Sequence, residues 1–254
     1  MILLMGGTKD ARMLAAALHR AFPREMIVAT AVSDYGADLL REQGGCIVLQ
    51  GAMDAAALGR FIKEKEVRVL VDATHPYAEQ ASAQAVRAAK EANIHYLRYE
   101  RPSTEVPAGN GVYYAPDFKA AAVIAARHGD TLFLTIGTRH LQEFLENLPP
   151  GKNVIARILP DEAGFGLCRR LGLSPAAVVA LQGPVSQRLN TALFAEYGAE
   201  VVVSKESGEA GGTPQKVAAA KELKIPIVLV RRPAGQDGLS TPAEVISALR
   251  KLEN

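Results

Sequence analysis

The feature that most constrains this chain is a recurrence. Short, unbroken runs of Val, Ile and Leu return along almost its whole length, each separated from the next by a stretch of helical character. The runs fall at 2–5, 26–32, 46–49, 67–71 and 95–99, and then, after an irregular patch, at 112–114, 131–136, 153–158, 178–181, 200–203 and 227–230. They lack the polar–apolar alternation of a sheet with one wet face, and so read as strands buried on both faces of a parallel sheet. The segments at 10–20, 55–65, 77–92, 118–127, 187–197, 215–223 and 243–252 read as helices. Strand and helix alternating in this way predict an α/β fold built from doubly wound, Rossmann-like parallel sheets.

One interruption divides the series. Residues 101–111 hold two prolines and two glycines without periodicity, as a connector does. Two lobes are therefore expected, 1–102 and 112–254, with a cleft between them. The bulk properties agree with a globular protein: 254 residues, 48% hydrophobic, 22% charged, formal net charge +2. Such a small net charge does not suggest nucleic-acid binding. No apolar run approaches the roughly 20 residues that span a bilayer, and the first residues read as a core strand without a secretory leader. A cytoplasmic protein is the expectation. Cys46 and Cys168 are the only cysteines, too few for a disulfide framework. CxxC, HExxH and GxSxG are absent, which argues against a metal centre and against an α/β-hydrolase.

In open α/β sheets ligands gather at the carboxyl ends of strands, and several such ends here carry unusual residues. After the first strand come Gly6, Gly7 and Thr8. The glycines admit a phosphate close to the backbone, and Thr8 is placed to cap a helix whose first amides favour an anion. The same residues also make an ordinary tight turn. The run 67–71 leads into Asp72-Ala73-Thr74-His75-Pro76, a polar cluster poorly explained by packing alone. Its His75 exchanges protons near neutral pH, its Asp72 is placed to orient that ring, to meet a ribose hydroxyl or to cap a helix, and its Pro76 suits a helix start. Arg98 and Arg101 close the fifth strand and suit bidentate capture of carboxylates, or solvation beside Glu100. Further along, Gly137, Arg139 and His140, then Arg157, then Gly183 to Ser186 occupy other strand ends, with Ser186 a natural helix cap. The most distinctive stretch runs from Lys205 through Ser207, Gly208, Gly211 and Gly212 to Lys216. It is a glycine loop able to wrap amides around an anion, but not a P-loop.

Taken in order, these segments resemble the precorrin-6A reductase family, including its cobalt-precorrin-6A members. The resemblance runs from Gly6-Gly7-Thr8 through Asp72-Ala-Thr-His-Pro-Tyr-Ala78, 97–102, Arg157 to Pro160, Gly183-Pro-Val-Ser186, Asn190 and Lys205-Glu-Ser-Gly208 to Arg232-Pro233. It implies reduction of one ring double bond of a polycarboxylate tetrapyrrole in corrin (cobalamin) biosynthesis, with hydride to C19 and a proton to C18. It implies NADPH as donor, while the acid Asp34 after the second strand leaves NADH open. The implied nucleotide ligands are Gly6, Gly7, Thr8, Asp72, Thr74, His75, Ser207, Gly208, Gly211 and Gly212. The implied carboxylate partners are Arg98, Arg101, Arg139, Lys205 and Lys216, and His75 or water supplies the proton. A monomer or homodimer is expected. Val185 and Ser103 depart from the aromatic residues the family often has nearby. The competing readings are a non-redox tetrapyrrole enzyme of similar fold, a sensor that closes on a polycarboxylate without turnover, and a short-chain-type dehydrogenase, whose Tyr-x-x-x-Lys pair is missing.

Overall fold

The computed structural model describes residues 1–100, 106–233 and 238–252. It divides into two compact units, Met1–Pro102 with Ala234–Asn254, and Ser103–Pro233.

The first unit begins with β1 (Ile2–Met5), α1 (Lys9–Ala21), β2 (Ile27–Ala31), α2 (Asp34–Gln43) and β3 (Ile47–Gln50). It continues with α3 (Ala55–Glu64), β4 (Val69–Asp72), α4 (Glu79–Glu91) and β5 (His95–Arg98). All five strands are parallel, in the order β3-β2-β1-β4-β5. Alternate residues serve opposite faces. Ile2 and Leu4 pack with Leu14 and Leu18 of α1, whereas Leu3 and Met5 pack with Leu58 and Ile62 of α3 and Ala85 and Ala88 of α4. The central strands are buried throughout, as their aliphatic runs predict, while the edge strands β3 and β5 are partly exposed.

The second unit contains β6 (Val112–Ala115), α5 (Phe118–Ala126), β7 (Thr131–Leu134), α6 (Leu141–Glu146) and β8 (Asn153–Ile158). Then follow α7 (Glu162–Arg170), β9 (Val178–Ala180), α8 (Gln187–Glu196), β10 (Val201–Lys205), α9 (Thr213–Glu222) and β11 (Ile227–Val230). Its six strands, again all parallel, lie in the order β6-β11-β10-β7-β8-β9.

Three expectations need correction. The final helix, α10 (Pro242–Lys251), does not close the second lobe as the 112–254 division had it. Its fully buried Val245 and Leu249 complete the α1 face of the first sheet, and Leu239 pairs with Tyr99 beyond the end of β5. Pro76 does not open α4, because a turn joins Ala78 N–H to the His75 carbonyl at 2.7 Å and the helix starts at Glu79. Finally, α2, α6 and α7 lie outside the segments that read most clearly as helices from sequence. In α7, Gly164 and Gly166 weaken the helical signal, yet a Cβ at Gly164 would stand 3.2 Å from Thr138 Cγ2 and 3.1 Å from Asp161 Oδ1.

Candidate active site

Each sheet reverses its winding at one place. In the first unit the chain moves outward from β1 to β2 and β3, then returns to lay β4 on the other side of β1. The crevice above the carboxyl ends of β1 and β4 is the position where open α/β sheets take ligands. Both polar clusters of the first unit meet there.

Gly6 shows why. It has φ +133°, and a Cβ on it would stand 2.6 Å from the Ala73 carbonyl oxygen. Only glycine lets the two strand-end turns lie this close. Gly7 abuts α2, since a Cβ on Gly36 would meet its carbonyl oxygen at 3.3 Å. Thr8 caps α1 by accepting Ala11 N–H at 3.1 Å, and its hydroxyl lies 3.5 Å from the Ala73 carbonyl. Gly7, Thr8 and Lys9 retain access to solvent. A glycine turn entering an open helix N-terminus fits the phosphates of a dinucleotide.

The Asp72 cluster is organised differently from the sequence reading. Asp72 is fully buried, and its carboxylate accepts Thr74 N–H at 2.9 Å and Tyr96 Oη–H at 2.8 Å and pairs with Arg98 Nη1 at 2.9 Å. Burial, with Asp72 beside it, pushes the Tyr96 phenol well above its ordinary value. Arg98 also donates to Thr74 Oγ1 at 3.0 Å and Ser82 Oγ at 3.3 Å, and pairs with Glu100 at 2.9 Å. Two assignments are thereby corrected. Asp72 does not orient His75 or face a ribose, because its oxygens are used internally. Arg98, 8% exposed and held by two acids, is not a clamp for external carboxylates. Together they position the loop that carries Thr74 and His75. Arg101 lies outside the described residues.

His75 is half-buried, and Tyr77 N–H donates to its Nδ1 at 3.3 Å. With Nδ1 an acceptor, the neutral ring carries its proton on Nε2. Asp34 is exposed in the first turn of α2, where Gln50 Nε2 donates to its Oδ1.

In the second unit the winding reverses between β7 and β10. Beyond β7 lie the exposed Arg139 and the half-buried His140, whose ring stacks on Phe118 with centroids 4.1 Å apart. Burial, then Lys205, hold the His140 pKa below its ordinary value. At the end of β10, Lys205 Nζ stands 5.9 Å over the same Phe118 ring, and burial followed by Arg139 lowers its pKa to about 8. Arg139 acts on Lys205, so the two cations stand near each other beyond β7 and β10. Lys216 is the exception: it is 5% exposed, donates to Ser204 Oγ at 3.1 Å and does not reach the surface as a carboxylate clamp. The 207–212 glycines shape their own loop. A Cβ on Gly211 would lie 1.9 Å from Ser207 Oγ, and Gly208 and Gly212 adopt φ +62° and +68°.

Sequence reasoning passed over Tyr96, Ser82 and Ser204, and did not place Arg157 in the site. Arg157 follows Ile155 by two positions and Ser204 follows Val202 by two, so both interrupt an apolar row facing the core. Polar residues in such a row were a readable signal. Among the described residues, no group of three His, Cys, Asp or Glu is placed to hold a metal ion. No described helix is long and apolar enough to cross a membrane.

The comparisons with known proteins agree with this geometry. The family model described as precorrin-6x reductase CbiJ/CobK matches residues 1–250. A cobalt-precorrin-6A reductase of Priestia megaterium is 39% identical over 253 residues, covering 98% of both chains. One from Methanothermobacter thermautotrophicus is 37% identical over 235 residues, covering 91% of this chain and 76% of its own. A precorrin-6A reductase of Rhodococcus erythropolis is 32% identical over 251 residues, covering 98% of this chain and 95% of its own. The solved structure of CobK precorrin-6A reductase superposes with a TM-score of 0.77 at 26% identity, covering 99% of this chain and 96% of that one. Two parallel-sheet units with these strand-end clusters, matched end to end, place the chain in the precorrin-6x reductase CbiJ/CobK family.

Proposed function

We propose that this chain reduces the C18–C19 double bond of cobalt-precorrin-6A to give cobalt-precorrin-6B, a step of cobalamin biosynthesis, with a reduced nicotinamide dinucleotide as donor. The observation that carries the reading is the paired crevice of the first unit, where Gly6 and Ala73 bring the phosphate-type turn against the loop holding Thr74 and His75. The cobalt-bearing ring is favoured because two relatives named for it share 37% and 39% of their aligned residues with this chain, while others named for it stand at 30–35% and two named for the metal-free type at 30% and 32%.

When bound, the dinucleotide supplies the hydride. The protein supplies position and charge. Gly6, Gly7 and the first turn of α1 hold phosphate. Asp34, in the helix turn that Gly7 packs against, accepts the adenosine ribose hydroxyls and repels a 2′-phosphate, so we assign NADH as the preferred donor over the NADPH implied by resemblance. Thr74 and His75 lie at the nicotinamide end of the crevice. His75, once protonated at Nδ1 as well, is an imidazolium that gives its Nε2 proton to the carbon that does not receive hydride and returns to the neutral ring. Arg139 and Lys205 of the second unit take substrate carboxylates.

The test follows the absorbance of reduced nicotinamide. With NADH and cobalt-precorrin-6A together, oxidation is steady and stoichiometric with product. Turnover of the tetrapyrrole without oxidation of NADH or NADPH would instead support a non-redox enzyme of the same fold.

A further inference from the structure

In the first unit, β2 ends against the phosphate-type turn. A Cβ on Gly7 would stand 3.0 Å from Ala31 Cβ and 3.6 Å from Gly36 Cα in the first turn of α2. Just beyond β2, Val32 is 72% exposed and Tyr35 is 53% exposed, apolar surface that the core does not use. Such surface beside a phosphate turn suits the flat face of an adenine. Asp34 stands between the two.

That acid does not stand alone. Asp34, Asp38 and Arg41 follow one another by four and three residues, which places them in one stripe along α2. Gln50, the last residue of β3, pairs in register with Ala31 and reaches the same stripe from the neighbouring strand. Its amide joins the two ends. Arg41 Nη1 pairs with Asp38 Oδ1 at 2.7 Å, Arg41 Nη2 donates to Gln50 Oε1 at 3.0 Å, and Gln50 Nε2 donates to Asp34 Oδ1. The order follows from the groups themselves. A guanidinium only donates and a carboxylate only accepts, so an amide between them turns its oxygen to Arg41 and its nitrogen to Asp34. Neither an ionised acid nor an apolar side chain at this position could do both.

The bridge has two effects. It occupies Asp34 Oδ1 while, among the described residues, nothing donates to Oδ2, which is left to accept ribose hydroxyls. It also holds Arg41 one amide away from Asp34, and the described residues show no direct ion pair between them. A direct pair would cancel the charge of the acid and cover the oxygen that the ribose needs. Arg41 is thus a fixed cation one amide from the ribose acid, within reach of a 2′-phosphate but opposed by Asp34.

We propose that Gln50 and Arg41 set which dinucleotide the crevice takes. Gln50 is a positioning residue that holds Asp34 for the 2′-hydroxyl of NADH. Arg41 is a latent anchor for the 2′-phosphate of NADPH, idle while Asp34 repels that group. The inference rests on the dinucleotide reading above and names the residues that decide between its two donors.

The experiment titrates the full chain by calorimetry with ADP-ribose and with 2′-phospho-ADP-ribose, so neither tetrapyrrole nor turnover is needed. The parent should bind ADP-ribose at least about tenfold more tightly than its phosphorylated form. Gln50→Met keeps the volume but breaks the bridge, and should narrow that preference about fivefold. Asp34→Ser should shift the preference toward 2′-phospho-ADP-ribose about tenfold. Adding Arg41→Met should abolish that gain, whereas adding Arg41→Lys should keep part of it. All three positions are exposed, so the variants should melt with the parent. Equal binding of 2′-phospho-ADP-ribose by Asp34→Ser with and without Arg41→Met would overturn Arg41 as the anchor. An unchanged preference in Gln50→Met would overturn the bridge, as would a parent that binds both probes alike. These failures leave ADP-ribose binding intact and strike this inference alone. A parent that binds neither probe would remove the dinucleotide reading itself, and this inference with it.

Discussion

Replacing Arg98 with methionine tests how the nucleotide crevice is held. The guanidinium bonds Asp72, Thr74, Ser82 and Glu100, and thereby ties the end of β4, the following loop, α4 and the chain after β5 into one network. Methionine preserves much of the volume but strands the fully buried Asp72 carboxylate with Tyr96 and one backbone N–H. Removing one partner of a buried ion pair costs about 3–5 kcal/mol. For a protein of this size that corresponds to a fall of about 10 °C or more in the melting temperature of the first unit. Arg98→Met should show that loss in calorimetry and urea unfolding, together with a raised KM for NADH because Thr74 loses its anchor. Adding Asp72→Asn removes the stranded charge, keeps the bond from Thr74 N–H on Oδ1 and lets Nδ2 donate to Tyr96 Oη, so the double variant should regain a large part of the stability. If Arg98→Met unfolded within about 1 kcal/mol of the parent, or if Asp72→Asn gave no recovery, the network would not be holding the loop.

Three further outcomes follow from the geometry. Asp34→Ser should raise the ratio of kcat/KM for NADPH over NADH about tenfold, a shift of about 1.4 kcal/mol measured in initial rates; an unchanged ratio would remove Asp34 from the ribose site. His75→Ala should lower kcat about a hundredfold while leaving NADH affinity nearly intact, and a drop confined to KM would make the residue a ligand instead of a proton donor. Because Lys216 has its pKa depressed to about 7 by burial, the unfolded chain binds more protons than the folded one above that pH. Its contribution to unfolding free energy thus rises with pH from about 7 toward the ordinary lysine value, and the difference in stability between Lys216→Met and its parent should shrink over the same range.

The alternation of aliphatic runs and helices carried the α/β class directly, because central strands such as β1, β4 and β11 are buried on both faces and cannot tolerate polar alternation. Strand-end clusters were legible for the same reason: Gly6 and His75 stand where core packing gives way to the crevice. What escaped the sequence was non-local. The pairing of Asp72 with Arg98 depends on β4 and β5 being neighbours, and nothing in the spacing of two residues 26 positions apart says whether they meet. Helix α10 returned to the first unit because its Val245 and Leu249 match the α1 face, a complementarity invisible along the chain. The cations Arg98 and Lys216 read as surface clamps because nothing along the chain shows that they are buried.

The central claim is hydride transfer to a tetrapyrrole by this chain. It is tested most directly by incubating the protein with cobalt-precorrin-6A and NADH deuterated at the transferring position of the nicotinamide, then weighing the product by mass spectrometry. The account predicts a product that has gained one deuterium, transferred as deuteride, and a solvent proton. A converted tetrapyrrole free of deuterium from either face of the labelled nicotinamide would contradict it.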